Sequence, residues 1–348
     1  MSKATVLVTG GSGYIASWVV KYLLEEGYTV RATVRNLRSE DKVAHLKAME
    51  REYSGKLQLF EADLLTEGSF DESMKGCDVV IHTASPFFIK GLKDAQKQLV
   101  DPALQGTRNV LETANRAESV KRVVLTSSVA AIMGDNVDAL NKVNRTMTEE
   151  DWNTSSSLNH QPYSYSKTVA EREAWKIAES QNRWKLVVIN PAFVMGPSLS
   201  NRMDGTSVQF MHDLVGGPLK SGVPDLTFGI VDVRDVARAH VLAANNEASG
   251  RHILCADTKT FVELAQMLKD RYGRSLPLPR GQLPTFMVYI IGPLFGLSWG
   301  FLKKNLGVRY KLDNRRSKED LGISYRSVAD TLCDHVEQMK ASGIIQAA

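Results

Sequence analysis

The side chains best spaced to do chemistry are Tyr163 and Lys167, in the run Tyr163-Ser164-Tyr165-Ser166-Lys167. On a helix, residues four apart share a face, so the phenol and the ammonium address one site. An isolated tyrosine titrates near about 10, and a neighbouring ammonium favours the phenolate and lowers that value. Such a phenol donates a proton to a carbonyl oxygen, or takes one back in the reverse direction. Tyr165 has the wrong spacing to Lys167 for the same role. Ser128 closes the apolar run 122–128 and adds a hydroxyl able to hydrogen-bond a developing alkoxide. Ser127 is the weaker candidate, because successive strand residues point to opposite faces. A Tyr/Lys pair at this spacing arises by chance in many helices, so its meaning rests on what positions it.

The first thirty-five residues supply that context. Residues 5–8 read as a buried parallel strand, short and β-branched. The chain runs through Thr9 into Gly10-Gly11-Ser12-Gly13-Tyr14-Ile15-Ala16, and Ile15, Val19 and Leu23 then fall on one helical face. Strand, glycine turn and helix in succession are the setting of a dinucleotide site. Gly10 permits the tight turn, Gly13 lets the backbone approach a pyrophosphate, and Ala16 lets helix and strand pack closely. The helix N-terminus offers unpaired N–H groups and the positive end of its dipole. Thr9, Gly10, Ser12, Gly13, Tyr14 and Ile15 are therefore candidate cofactor contacts.

The second strand selects the dinucleotide. An NAD site wants Asp or Glu about 20 residues past the glycines, for the ribose 2′-OH. Here Arg35 ends the strand and the first acid is Glu40. A guanidinium there binds a 2′-phosphate bidentately, where a carboxylate would repel it. Lys42 adds a second positive charge. The expected cofactor is NADP(H), whose oxidised nicotinamide would further favour the Tyr163 phenolate.

Behind these motifs the chain alternates strand and helix. A charged helix is expected over 39–53, a strand over 56–64, a short helix at 70–74 and a strand over 78–85. A helical stretch over 92–117, bent at Pro102, precedes the 122–128 strand. This rhythm implies an α/β fold with a doubly wound parallel sheet, whose ligands bind beyond the carboxyl ends of the strands. A long polar loop, 135–162, leads to the helix 163–181 and the strand 185–191. Further on, 206–215 and 261–272 read as helices, and 227–231 and 251–254 as strands returning to the main sheet. The expected organisation is a nucleotide-binding domain over 1–195, with returning segments at about 225–255. A smaller substrate lobe is interleaved from 196–224 and 256–348.

Composition bounds the function. With 43% hydrophobic residues, 24% charged residues and a net charge of +4, the chain reads as globular and carries no nucleic-acid signature. Cys77, Cys255 and Cys333 are isolated, so no metal is expected. The first strand begins within a few residues of Met1, leaving no room for a secretory signal, and a cytoplasmic location is expected. His82, ending an apolar strand, reads as a core histidine. The stretch 283–302 is uncharged over about the length of a membrane span but holds two prolines and three glycines. It is read first as an apolar pocket wall or packed core. Contact with an anionic membrane surface is the lesser reading, suggested by the basic flank KKNLGVRYK.

As a set, these motifs resemble the extended short-chain dehydrogenase/reductase superfamily. Within it the chain is similar to the branch holding dihydroflavonol reductase, cinnamoyl-CoA reductase and microbial carbonyl reductases. The matching pieces are VTGGSGYIASWVVKYLLEEGYTVRATVR, EADL, KGCDVVIHTASP, GTRNVLE, RVVLTSS, YSYSK and INPAFVMGP, then VDVRDVARAH and SGRHILCAD. The resemblance implies a Rossmann fold with a smaller C-terminal lobe, and catalytic roles for Ser128, Tyr163 and Lys167. It also implies that Asp63 and Leu64 lie by the adenine, and that Thr83, Ala84 and Ser85 line the cofactor's middle. Pro191, Ala192, Phe193 and Val194 would flank the nicotinamide.

Where the plant flavonoid reductases carry a polar residue shortly after the serine, this chain has Met133. Its pocket is therefore expected to be apolar, walled by Pro86, Phe87, Ile132, Met133 and Phe193. The expected activity is NADPH-dependent reduction of small-molecule apolar or aromatic ketones and aldehydes by a monomer or homodimer. Alternatives are a steroid-type dehydrogenase or sugar-nucleotide epimerase of the same fold, or a non-catalytic NADP-sensing or scaffold protein.

Overall fold

The computed structural model describes residues 3–85 and 94–345. The strands in chain order are β1 (Thr5–Thr9), β2 (Thr29–Val34), β3 (Leu57–Glu61), β4 (Val79–His82), β5 (Arg122–Thr126) and β6 (Thr146–Met147). They continue as β7 (Lys185–Pro191), β8 (Phe193–Met195), β9 (Thr227–Asp232), β10 (Gly250–Leu254), β11 (Asp257–Thr260) and β12 (Lys311–Leu312). Seven of them form one parallel sheet in the order β10-β7-β5-β4-β1-β2-β3. From β1 the order grows outward in both directions. The crevice at that reversal, beyond the ends of β1 and β4, is where such sheets hold ligands.

Alternation along each strand divides the core. Val6 and Val8 pack with Val19, Val20 and Leu23 of the Tyr14–Glu25 helix on one face. Leu7 faces the other side, with Val110 and Leu111 of the Asp101–Arg116 helix and Ala174 and Ile177 of the Pro162–Glu179 helix. Both faces are therefore covered, which is why the strands read as continuous apolar runs. A third cluster, including Met195, Met211, Leu264 and Leu332, is the core of the C-terminal lobe.

Local signals account for most helix starts. Pro162 stands in the first turn of its helix, where a missing N–H costs nothing. The Asp232 carboxylate accepts the Arg234 N–H, and Thr260 with Glu263 forms a reciprocal capping box.

Two expectations change. Pro102 opens the Asp101–Arg116 helix instead of bending one, and the irregularity lies before it, as a π-helical turn over Gln96–Val100. Of the two segments expected to return to the sheet, β10 does so beside β7. β9 instead pairs with β8 and β11 in a separate three-stranded sheet. Its parallel pairing with β8, which follows β7 after one residue, carries the chain away from the main sheet toward the lobe.

Candidate active site

A cavity of about 1130 Å³ opens at the reversal point and runs along the carboxyl ends of the strands into the lobe. At one end lies the glycine turn. Gly10 has φ +67, and a Cβ there would stand 3.0 Å from Ala84 Cβ, so turn and neighbouring strand demand glycine. The Tyr14–Glu25 helix has no side-chain cap and no acid in its first turn. Its first N–H groups therefore remain available beside the cavity, which Gly13, Tyr14 and Ile15 line. An uncapped helix end facing a cleft fits a pyrophosphate. Ser12, Arg35, Lys42 and Leu64 also border this end.

Two candidates lie beside the cavity without lining it. Thr9 is fully buried, with its hydroxyl on His82 Nδ1 (2.8 Å) and accepting the Ala84 N–H (3.2 Å). It shapes the end of β4 without lining the cavity. Asp63 likewise does not line it: its carboxylate accepts the Leu65 N–H (2.8 Å) and stands 3.9 Å from Arg35 Nε. An Asx turn at the end of β3 holds it aside. His82, bonded to Thr9, is pulled down to about 3 by burial and by the charge on Lys167, so it stays neutral.

The candidate reactive group stands mid-cavity, where Thr83, Ala84, Ser85, Ser128, Tyr163 and Lys167 converge. Ser128 Oγ accepts the Ala130 N–H (3.1 Å) at the start of a short 3-10 turn, leaving its own proton to donate. Ser128 hydrogen-bonds Tyr163, opposing the rise that burial imposes on the phenol, which reaches about 12. Lys167 does not lower that value as the spacing suggested, because the lysine, at about 8, has already lost its charge where the phenol ionises. Its Nζ lies 6.0 Å from the Tyr163 ring centre and donates to Ser85 Oγ (3.2 Å). Burial pulls Lys167 itself down to about 8, with the Glu171 charge working the other way.

Glu171, one turn beyond Lys167, was missed by sequence reasoning and is 1% exposed. Its carboxylate accepts hydrogen bonds from Ser127 Oγ (2.5 Å), Asn190 Nδ2 (2.8 Å) and Arg251 Nε (2.6 Å). Asn190 also donates to the Ser128 carbonyl (3.2 Å). Arg251 reaches the carbonyls of Glu149 (2.8 Å) and Ala131 (3.3 Å). One buried ion pair thus ties the Tyr163 helix to the end of β5 and to the long loop. Ser127 is part of this support, its hydroxyl given to Glu171 while the residue also borders the cavity. The charged run Glu171-Arg172-Glu173 concealed the buried glutamate among residues that read as solvated, and Arg251 reads as an ordinary strand residue.

The far end is mainly apolar, with Asn136, Gln161 and Asn305 as its polar lining. Pro191, Ala192, Phe193 and Val194 line the passage, followed by Met133, Phe210, Phe228, Phe261 and Tyr310. Phe193 meets Phe210 edge-on at 5.3 Å, and Phe228 stacks on Phe261 at 4.9 Å. Ile132 is not part of the wall: the 3-10 turn after Ser128 directs it into the core, fully buried, while Val129, Ala130 and Met133 face the cavity. Pro86 and Phe87 lie outside the described residues. From the uncharged stretch only Leu297 and Phe301 reach the cavity. Among the described residues no cluster of His, Cys, Asp or Glu could hold a metal ion.

Comparison with known proteins agrees with this geometry. Residues 6–256 match the NAD dependent epimerase/dehydratase family, and the chain belongs to that family. Within it, the chain is an oxidoreductase of the extended short-chain dehydrogenase/reductase type, in the branch of dihydroflavonol and cinnamoyl-CoA reductases. It is 45% identical over 281 residues to cinnamoyl-CoA reductase CAD2 of Medicago truncatula, covering 79% of this chain and 82% of the relative. It is 34% identical to a Vitis vinifera anthocyanidin reductase ((2S)-flavan-3-ol-forming), over 99% of this chain and 98% of that one. The crystal structure of Gre2 from Candida albicans in complex with NADPH superposes with a TM-score of 0.80. The two are 30% identical, over 98% of this chain and 99% of that one.

Proposed function

We propose that this oxidoreductase reduces apolar or aromatic ketones and aldehydes, with Tyr163 as the proton donor. The enzyme is NADP(H)-dependent. The uncapped helix end fits the pyrophosphate, and Arg35 with Lys42 fits the 2′-phosphate. When bound, the cofactor supplies a hydride to the carbonyl carbon. The Tyr163 hydroxyl, protonated throughout the neutral range, gives its proton to the carbonyl oxygen as the alcohol forms. Ser128, its lone pair engaged by the Ala130 N–H, directs its own proton toward the same oxygen. Lys167, cationic below about pH 8, stabilises the phenolate left behind.

The observation that carries the substrate class is the continuity of the cavity. Tyr163 and Ser128 open directly onto a chamber walled by Phe193, Phe210, Phe228 and Phe261. Burying one aromatic ring there contributes about 2 kcal/mol, enough for a preference among carbonyls but not a narrow specificity. The test is a specificity profile of NADPH oxidation across matched polar and apolar carbonyl compounds. Aryl ketones and aldehydes should lead. Efficient turnover of nucleotide sugars with aryl carbonyls inert would overturn the proposal.

A further inference from the structure

Six large apolar side chains stand exposed between residues 286 and 299: Phe286, Met287, Ile290, Leu294, Phe295 and Trp299. Leu294 is 84% exposed and Phe295 73%. They sit on three short consecutive elements, the Thr285–Ile291 helix, the Gly292–Phe295 turn and the Trp299–Asn305 helix. The segment is thus neither core nor chiefly pocket wall. Val288 and Leu302 anchor it, Leu297 and Phe301 turn toward the cavity, and the rest faces outward. Six large exposed apolar side chains on consecutive elements mark a contact site, not scattered surface residues.

Along the chain, the charges that flank it are of one sign. Between Asp270 and Asp313 the chain carries seven Lys and Arg and no Asp or Glu. Lys304 and Arg309 are held by Asp135 and Asp225, but Arg280 and Lys303 are exposed. Lys220, also exposed, is brought alongside by its carbonyl, which accepts the Arg280 N–H (3.1 Å). Lys303 follows Trp299 by one helical turn and shares its face. The Trp299 Nε1 donates to the Tyr289 carbonyl (3.1 Å), so its indole turns outward with the polar atom already satisfied.

We propose that this patch docks on an anionic lipid bilayer, its short helices lying in the interface with the basic residues at headgroup level. Apolar bulk, an aromatic at the edge and unopposed cations are the composition that binds such a surface. A second copy fits less well. Two-fold pairing would set the patch against itself and bring Arg280 and Lys303 of both copies together, with no carboxylate from this segment between them. Each helix is seven residues long, and no helix among the described residues is long and apolar enough to cross a membrane. Docking would bring the mouth beside Leu297 and Phe301 to the lipid, from which apolar carbonyl compounds could enter. That last step rests on the substrate reading above, whereas docking itself does not.

The experiment is flotation of the full-length protein with phosphatidylcholine vesicles, with and without about 30% phosphatidylserine, in low salt and in about 0.5 M NaCl. Binding should require phosphatidylserine, at least about tenfold over phosphatidylcholine alone, and fall in high salt. Arg280→Gln and Lys303→Gln should each weaken it roughly fivefold. Leu294→Ser/Phe295→Ser should abolish it. NADPH oxidation with a water-soluble aldehyde should be unchanged in every variant, separating a lost surface from a lost fold. Failure of the wild-type protein to float, or equal binding to both vesicles, would overturn the proposal. So would light scattering that shows a dimer which Leu294→Ser/Phe295→Ser converts to monomers.

Discussion

The two ends of the cavity are built by different means. At the cofactor end, the lining comes from the carboxyl ends of neighbouring strands: Gly10 after β1, Thr83 after β4, Ser128 after β5 and Pro191 at the end of β7. Backbone pairing places these groups, and buried hydrogen bonds such as Thr9 to His82 hold them. At the substrate end, Phe193, Phe210, Phe228, Phe261, Phe301 and Tyr310 come from six separate segments. Rings packed on one another place Phe193, Phe210, Phe228 and Phe261, with centres 4.8 Å apart for Phe210 and Phe261. A position set by a hydrogen-bonded sheet tolerates little change, while one set by apolar packing can adjust. Substitutions at the first end should therefore act on kcat, and those at the second on KM and substrate preference.

The largest effect should follow from Tyr163→Phe. The ring keeps its packing but loses the donated proton, so kcat should fall about 10²–10⁴-fold. NADPH affinity, read by fluorescence titration, should change less than threefold. A variant that retained most of its turnover would move the proton donor elsewhere and end the contrast drawn here.

The same contrast explains what could be read from the sequence. That the glycine turn, Arg35, Ser128, Tyr163 and Lys167 border one cavity could be read from the sequence because together they follow the strand and helix order of a doubly wound sheet. Thr9 and Asp63 lie beside the cavity without lining it, since a residue at a strand end can either line a crevice or brace it. Ile132 was misplaced because a 3-10 turn breaks the alternation that a strand would have continued. The aromatic chamber was largely illegible. Phe210, Phe228 and Phe261 sit on a helix, a strand and a helix, and nothing local distinguishes them from core residues. Glu171 was invisible for a related reason: its partners Ser127, Asn190 and Arg251 lie 44, 19 and 80 residues away.

A smaller effect is expected at the apolar end. Phe210→Ala removes a ring that touches both Phe193 and Phe261. Loss of one aromatic contact is worth about 1–3 kcal/mol, so KM for an aryl ketone should rise roughly tenfold. Turnover at saturation should stay within about twofold, and a small aliphatic aldehyde should be nearly indifferent. If kcat fell as steeply as KM rose, the chamber would be fixing reaction geometry, and the division between the two ends would fail.

The smallest effect, a pH profile, shows how the two ends are joined. Tyr163 is held at about 12, so its proton remains in place through the neutral range and does not set the profile. Lys167 is held at about 8 by burial, well below an ordinary lysine. In the proposed mechanism its ammonium, below that value, supports the phenolate formed during reduction. Above it the support is lost, so kcat should be flat from about pH 6 to 7 and decline several-fold as pH passes through about 8. Glu171 opposes the depression of Lys167, and Glu171→Gln should move the decline to lower pH. That variant keeps oxygen for Ser127 and Asn190 but strips Arg251 of its counter-charge, at a stability cost of about 3 kcal/mol. The profile must therefore be taken well below its melting temperature. A decline that stays at the same pH in Glu171→Gln would show that the buried ion pair only holds the helix and loop together, without tuning the lysine.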